Sequence, residues 1–184
     1  GANDSSAADA APAEPLPINP TSAGARPRPR TLFEKIVARQ ALTTPVTGGD
    51  PTQGQGAFVR ADLRFIHEYY TGMCAHLLGA AFGPSLTLHD PASIVVFEDH
   101  TSYVATSPTH VAGGLVPKVM AMCRAQRDFV AAHGLRSHRT LSEDEAARDD
   151  GSNVAGISHA MVSEHYALPG QLVVGTDSHT PHSG

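Results

Sequence analysis

Tryptophan is absent from the 184 residues, cysteine occurs only twice, and charged residues make up only 17% of the chain. Cys74 and Cys123 are too few and too far apart to staple a small secreted fold, and they form no Cys-x-x-Cys pair for zinc or redox work. A reducing, cytoplasmic compartment is therefore expected. No apolar run approaches the roughly 20 residues of a bilayer span; the best, Ile94 to Phe97 and Leu172 to Val174, are far shorter. Residues 1–20 carry Asp4, Asp9 and Glu14 without a continuous apolar stretch, so no secretory signal is read there. A net charge of -5 lacks the basic field that holds a phosphate backbone or an anionic membrane, which argues against nucleic acid and lipid as partners. What the chain does hold is 11 histidines against 13 lysines and arginines.

Residues 1–30 are Ala, Pro, Ser and short polar residues, a composition that cannot offset the entropy of ordering a backbone, and are read as a disordered tail. Its Arg26-Pro27-Arg28-Pro29-Arg30 run reads as a solvated linker ahead of a docking peptide. A folded domain over 31–184 opens at Thr31-Leu32-Phe33-Glu34, where hydroxyl and carboxylate are spaced for a capping box, and a helix to about Leu42 follows. Pro45, Gly48, Gly49, Pro51 and Gly54 make 43–56 a loop. A strand over Ala57 to Ile66 and a helix from Thr71 to Phe82 come next, closed by Gly83-Pro84. Ser93 to Phe97 reads as a strand buried on both faces. Leu115, Val119, Met122, Cys123, Phe129 and Val130 share one stripe of a helix over 114–133, with Gly134 to stop it. The acidic segment 137–153 lacks the spacing of a calcium loop and reads as surface. A strand around Val154 to Ser158, a helix around Ala160 to Tyr166 and a strand over Gln171 to Gly175 complete the chain.

Strands alternating with helices predict an α/β fold with a mostly parallel sheet, where ligands sit beyond the carboxyl ends of strands. Three predicted strand ends carry Asp99-His100, His159 and Asp177-Ser178-His179-Thr180. An Asp beside a His can orient the imidazole for acid-base work, though it can equally cap a loop. Four hydrogen-bonding side chains after an apolar strand are of little use to a core and suit a carboxylate or hydroxyl ligand. A Ser/His/Asp triad is disfavoured because its members come from separate segments and no GxSxG elbow exists. A zinc site from His179 and His182 with His159 or His100 stays open. The other histidines share no pattern.

Together these pieces resemble the aconitase superfamily. Thr31-Leu32-Phe33-Glu34-Lys35-Ile36 is similar to its opening helix, Phe97-Glu98-Asp99-His100 to its strand-end Asp-His element, and Gly156-Ile157-Ser158-His159 to its GI-x-H turn. Leu168-Pro169-Gly170 through Gly175-Thr176-Asp177-Ser178-His179-Thr180 matches its LPG…DSHT segment, in a form most similar to the isopropylmalate dehydratase large-subunit branch. The resemblance implies the N-terminal domain of that family, a three-layer α/β/α arrangement, and a hydro-lyase that dehydrates a hydroxy di- or tricarboxylate and rehydrates the alkene on the neighbouring carbon. It implies a 4Fe-4S cluster in the complete enzyme as Lewis acid. By position, Asp99, His100, Asp177 and His179 would be catalytic, with Asp99 orienting His100, while His159, Ser178 and Thr180 would bind substrate. The family's three cluster cysteines lie in later segments, and Cys74 and Cys123 match none of them. The chain is therefore expected to be a fragment, inactive alone, that works with the rest of a large subunit and a small subunit carrying a swivelling domain. Aconitate and homoaconitate are rival substrates. A non-catalytic metabolite-binding module and a His-rich zinc hydrolase are rival classes.

Overall fold

A strand buried on both faces needs a nearly continuous apolar run, and the central segment Ile94–Phe97 is one. The computed structural model describes residues 29–42, 57–151, 153 and 156–183. Among them are four strands: β1 (Leu63–His67), β2 (Ile94–Phe97), β3 (Arg136–His138) and β4 (Val173–Gly175). Their order is β3-β2-β1-β4 and every pairing is parallel, so all four carboxyl ends face one edge of the sheet. This is the parallel α/β arrangement that the strand and helix alternation predicts.

In register, Phe65 lies beside Val95 and Gly175, and His67 beside Phe97, placing these residues on one sheet face. Leu63, Phe65, Val95 and Phe97 on that face form one cluster with Met161 and Val162. The latter two belong to helix α6 (Ser158–Met161) and the π-helical turn that continues it over Val162–Tyr166. Val96 points to the opposite face and is fully buried too, so both faces are covered. Helices α2 (Glu68–Phe82) and α4 (Val116–His133) pack on each other, and Gln126 of α4 reaches the sheet, donating to the Phe97 carbonyl at 2.9 Å.

Capping follows the local sequence. Helix α1 (Leu32–Gln40) starts with the predicted box: the Thr31 hydroxyl accepts the Glu34 N–H, and the Glu34 carboxylate accepts the Thr31 N–H. Gly134 ends α4 in the left-handed region, at φ 61°, with its N–H on the Val130 carbonyl. The short α3 (Pro108–Ala112) precedes α4, and after β3 comes the short α5 (Glu143–Ala146) with its own Ser142–Glu145 box.

Several sequence expectations fail in informative ways. The strand expected over Ala57 to Ile66 is confined to β1; Val59 makes only an isolated antiparallel bridge to Ala41, and Phe58 is 76% exposed. Helix α2 begins three residues before Thr71 because His67 already leaves the strand as its N-cap position. Ser158 opens a helix instead of closing a strand; Val154 and Ala155 of that expected strand lie outside the described residues. The polar segment after Gly134 hides β3, which an Arg-Ser-His triplet does not advertise. Leu115, assigned to the buried stripe of α4, precedes the helix and is exposed, and the residues α4 buries are Cys123 and Gln126. Residues 31–184 form one compact unit; the expectations for the 1–30 tail, its last two residues aside, and for the 43–56 loop lie outside the described residues.

Candidate functional site

The three adjacent strands β2, β1 and β4 deliver polar residues to the same edge. Phe65 is level with Gly175, so two residues further along each strand His67 arrives beside Asp177. His67 is level with Phe97, and His100 follows three residues beyond. The close approach depends on Gly175: a Cβ there would stand 2.5 Å from the Phe65 ring and from Thr180 Oγ1.

Asp177 is the hub. Its Oδ1 lies 3.5 Å from His67 Nε2 and 3.5 Å from His100 Nε2, and its Oδ2 lies 3.2 Å from His159 Nε2 and 3.0 Å from His179 Nδ1. Oδ2 also accepts the backbone N–H of His179 at 2.5 Å. That N–H, joined by the His179 and His159 rings, holds the Asp177 carboxyl well below its ordinary range, at about 2. It is an anion at neutral pH, ringed by four imidazoles.

His67 is fully buried, stacked on His100 with ring centroids 4.2 Å apart, and neither of its ring nitrogens has a hydrogen-bond partner. Burial, then the neighbouring His100, push its pKa below 6.5 against the pull of Glu68, Asp177 and Asp99, so the ring is neutral. In sequence, His67 shares no pattern with the other histidines. Its one signal is its place at the end of an apolar strand, as with Asp99-His100.

Asp99 does something other than orient His100. Its Oδ2 accepts the Ser158 N–H at 2.8 Å and the Ser158 hydroxyl at 2.5 Å, whereas His100 Nδ1 is 4.0 Å away and buried without a hydrogen-bond partner. The carboxylate thus ties the start of α6 to the end of β2, which fixes His159, the next residue. His159 sits on a helix, not a strand end, yet reaches the same cluster, with its ring edge-on to Phe65 at 5.7 Å.

The DSHT residues divide. Asp177 faces the cluster, and His179 is exposed with its ring turned back on Asp177. Ser178 is exposed, its hydroxyl 3.3 Å from His179 Nδ1. Thr180 closes the turn, its hydroxyl donating to the Asp177 carbonyl at 2.7 Å. Two further carboxylates brace the strand ends. Glu68, buried, accepts the Asp99 N–H at 3.0 Å and the Thr101 hydroxyl at 2.8 Å. Glu98, also buried, takes a two-point contact from Arg127 at 2.6 and 2.9 Å and the Thr140 N–H at 2.9 Å.

No family model matches the chain. It is 27% identical over 169 residues to the chloroplastic 3-isopropylmalate dehydratase large subunit of Arabidopsis thaliana, covering 90% of this chain and 30% of that protein. A 30-residue stretch is 60% identical to the mitochondrial aconitate hydratases of Saccharomyces cerevisiae and of Candida albicans, covering 16% of this chain and 4% of each. The similarity is to the aconitase superfamily. The chain matches part of a large subunit and spans less than a third of that relative's length. The superfamily's names are those of dehydratases and hydratases, and the parallel α/β sheet is in keeping with them.

An iron–sulfur cluster needs thiolate ligands, and the donors that converge here are imidazoles and a carboxylate. Cys123 is buried, contacts the Thr101 hydroxyl at 3.5 Å, and burial pushes its thiol pKa up. Cys74 is half-buried on α2. The residues of this chain therefore do not fit a cluster's ligand set. Among the described residues, no helix is long and apolar enough to cross a membrane.

Proposed function

We propose that the chain is the N-terminal part of the large subunit of an aconitase-family hydro-lyase that interconverts 2-isopropylmalate and 3-isopropylmalate, a step of leucine biosynthesis, in the reducing cytoplasm. The observation that carries this reading is the buried Asp177 carboxylate ringed by His67, His100, His159 and His179 at the carboxyl edge of a parallel sheet. Support also comes from the similarity to an isopropylmalate dehydratase large subunit over 90% of the chain.

Dehydration takes a proton from one carbon and hydroxide from its neighbour; rehydration returns them exchanged. Asp177, anionic and aimed at the cluster, accepts a hydrogen bond from the substrate hydroxyl or from water. His100, half-buried with Asp177 Oδ1 3.5 Å from its Nε2, holds a proton that can pass to the departing hydroxyl. His179 and His159, on the other carboxylate oxygen, hold Asp177 in place; His159, Ser178 and Thr180 border the substrate. Asp99 acts through Ser158 and is a positioning residue.

The complete enzyme would carry a 4Fe-4S cluster on cysteines outside these 184 residues. The rest of the large subunit and a small subunit would complete the site, with residues 31–184 as an incomplete first domain, inactive alone. The test is turnover of 2-isopropylmalate, aconitate and homoaconitate by the complete protein. Preference for isopropylmalate supports the reading, preference for either of the others moves the substrate within the family, and no turnover of any of them overturns it.

A further inference from the structure

No hydrogen bond orients the His100 ring through Nδ1, which is buried without a partner and 4.0 Å from the Asp99 carboxylate. What holds the residue is its backbone and its ring face. Past Phe97 the chain leaves the sheet, and the Glu98 N–H still reaches the His138 carbonyl at 2.8 Å. The next donor, the Asp99 N–H, turns to Glu68 Oε2 at 3.0 Å, and the Thr101 hydroxyl donates to Glu68 Oε1 at 2.8 Å. One carboxylate thus grips the residues on both sides of His100. Glu68 is 1% exposed and opens α2 directly behind β1, so the grip joins two neighbouring strand ends. Its sequence neighbour His67 lies against the His100 ring, with centroids 4.2 Å apart and planes at 27°. A buried carboxylate with both oxygens engaged is rigid, and it makes rigid what it holds.

We propose that Glu68 is a positioning residue: by holding the Asp99 N–H and the Thr101 hydroxyl at once, it fixes where the His100 imidazole stands against Asp177. Its part in turnover rests on the hydro-lyase reading, whereas its placement of the ring does not. Glutamine at 68 can make the same grip, its Oε1 accepting the Asp99 N–H and its Nε2 donating to the Thr101 hydroxyl oxygen. Leucine can make neither contact. Serine at 101 likewise keeps the hydroxyl that valine lacks.

Carbon–proton correlation spectra of the histidine rings in the 184-residue protein test the placement, the His100 signals being those that vanish in His100→Gln. Glu68→Leu and Thr101→Val should move the His100 signals, and Glu68→Gln and Thr101→Ser should leave them at their wild-type positions. Thr101→Ser removes an interior methyl and Thr101→Val does not, so a merely structural role would make serine the more disruptive change. If Glu68→Leu fails to fold, the Thr101 pair decides. In the complete protein, Glu68→Leu and Thr101→Val should lower kcat at least about tenfold with KM within about threefold, as for a displaced catalytic group, and Glu68→Gln should restore kcat. Unmoved His100 signals in folded Thr101→Val overturn the proposal, as do signals moved equally by Thr101→Ser. Moved signals with unchanged kcat overturn the part in turnover. Absence of turnover in the complete wild type overturns the hydro-lyase reading and leaves the ring placement standing on the spectra.

Discussion

The Asp99 carboxylate holds Ser158, 59 positions along the chain, through both its backbone N–H and its hydroxyl. A side chain adjacent to His100 in sequence thereby positions His159, and the start of a four-residue helix is pinned to the end of a central strand.

Asp99→Ala removes this link and leaves the buried Ser158 N–H without its acceptor. The expected loss is about 1–2 kcal/mol of stability, as for an N-terminal helix cap, and Ser158→Ala should lose about half as much. Urea denaturation measures both. If Asp99→Ala matched the wild type while His100 titrated differently, the ring-orienting role would be the correct one.

Gly175 is where β4 passes the Phe65 ring. Gly175→Ala puts a methyl 2.5 Å from ring atoms of a residue only 2% exposed, so the core must shift, at about 1–3 kcal/mol. The same shift moves Asp177, two residues on. An unchanged thermal midpoint would show that the strand spacing has more slack than the geometry allows.

Arg127→Met leaves the Glu98 carboxylate buried with only the Thr140 N–H as partner. About 1–3 kcal/mol should be lost. Adding Glu98→Gln should recover part of it, because the stranded charge is then gone. A double variant less stable than Arg127→Met would count against this.

Acid should destabilise the fold in two stages. The His67 pKa is lowered by burial and by His100, and that of His138 by burial and by Arg136, so the unfolded chain takes up protons first as pH falls through 6.5. Their contribution is complete above that value and is lost below it. Asp177, depressed to about 2 from 3.8, contributes above 3.8 and loses its contribution as pH falls toward 2. The urea midpoint should therefore drop between about pH 7 and about pH 5; a midpoint that rises on acidification would contradict the assignment.

In the complete protein, Asp177→Asn and His100→Ala should each lower turnover at least ~100-fold, the usual cost of a positioned acid-base or electrostatic group. Near-normal turnover in either variant rejects that residue's role.

Much of this was legible from residue order. The Thr31 capping box, the stop at Gly134 and the apolar run Ile94 to Phe97 are local signals, and each is where periodicity and cap chemistry put it. Helix starts, helix stops and apolar strands depend on neighbours a few residues apart, so the sequence by itself determined an α/β chain and marked Asp99-His100, His159 and Asp177-His179 as chemistry-bearing. The tertiary structure alone decided the partners. Register between β1 and β4 set His67 beside Asp177, parallel pairing stacked it on His100, and Asp99 turned to Ser158. These contacts join residues tens to more than a hundred positions apart, a distance over which no pattern of neighbouring side chains carries information.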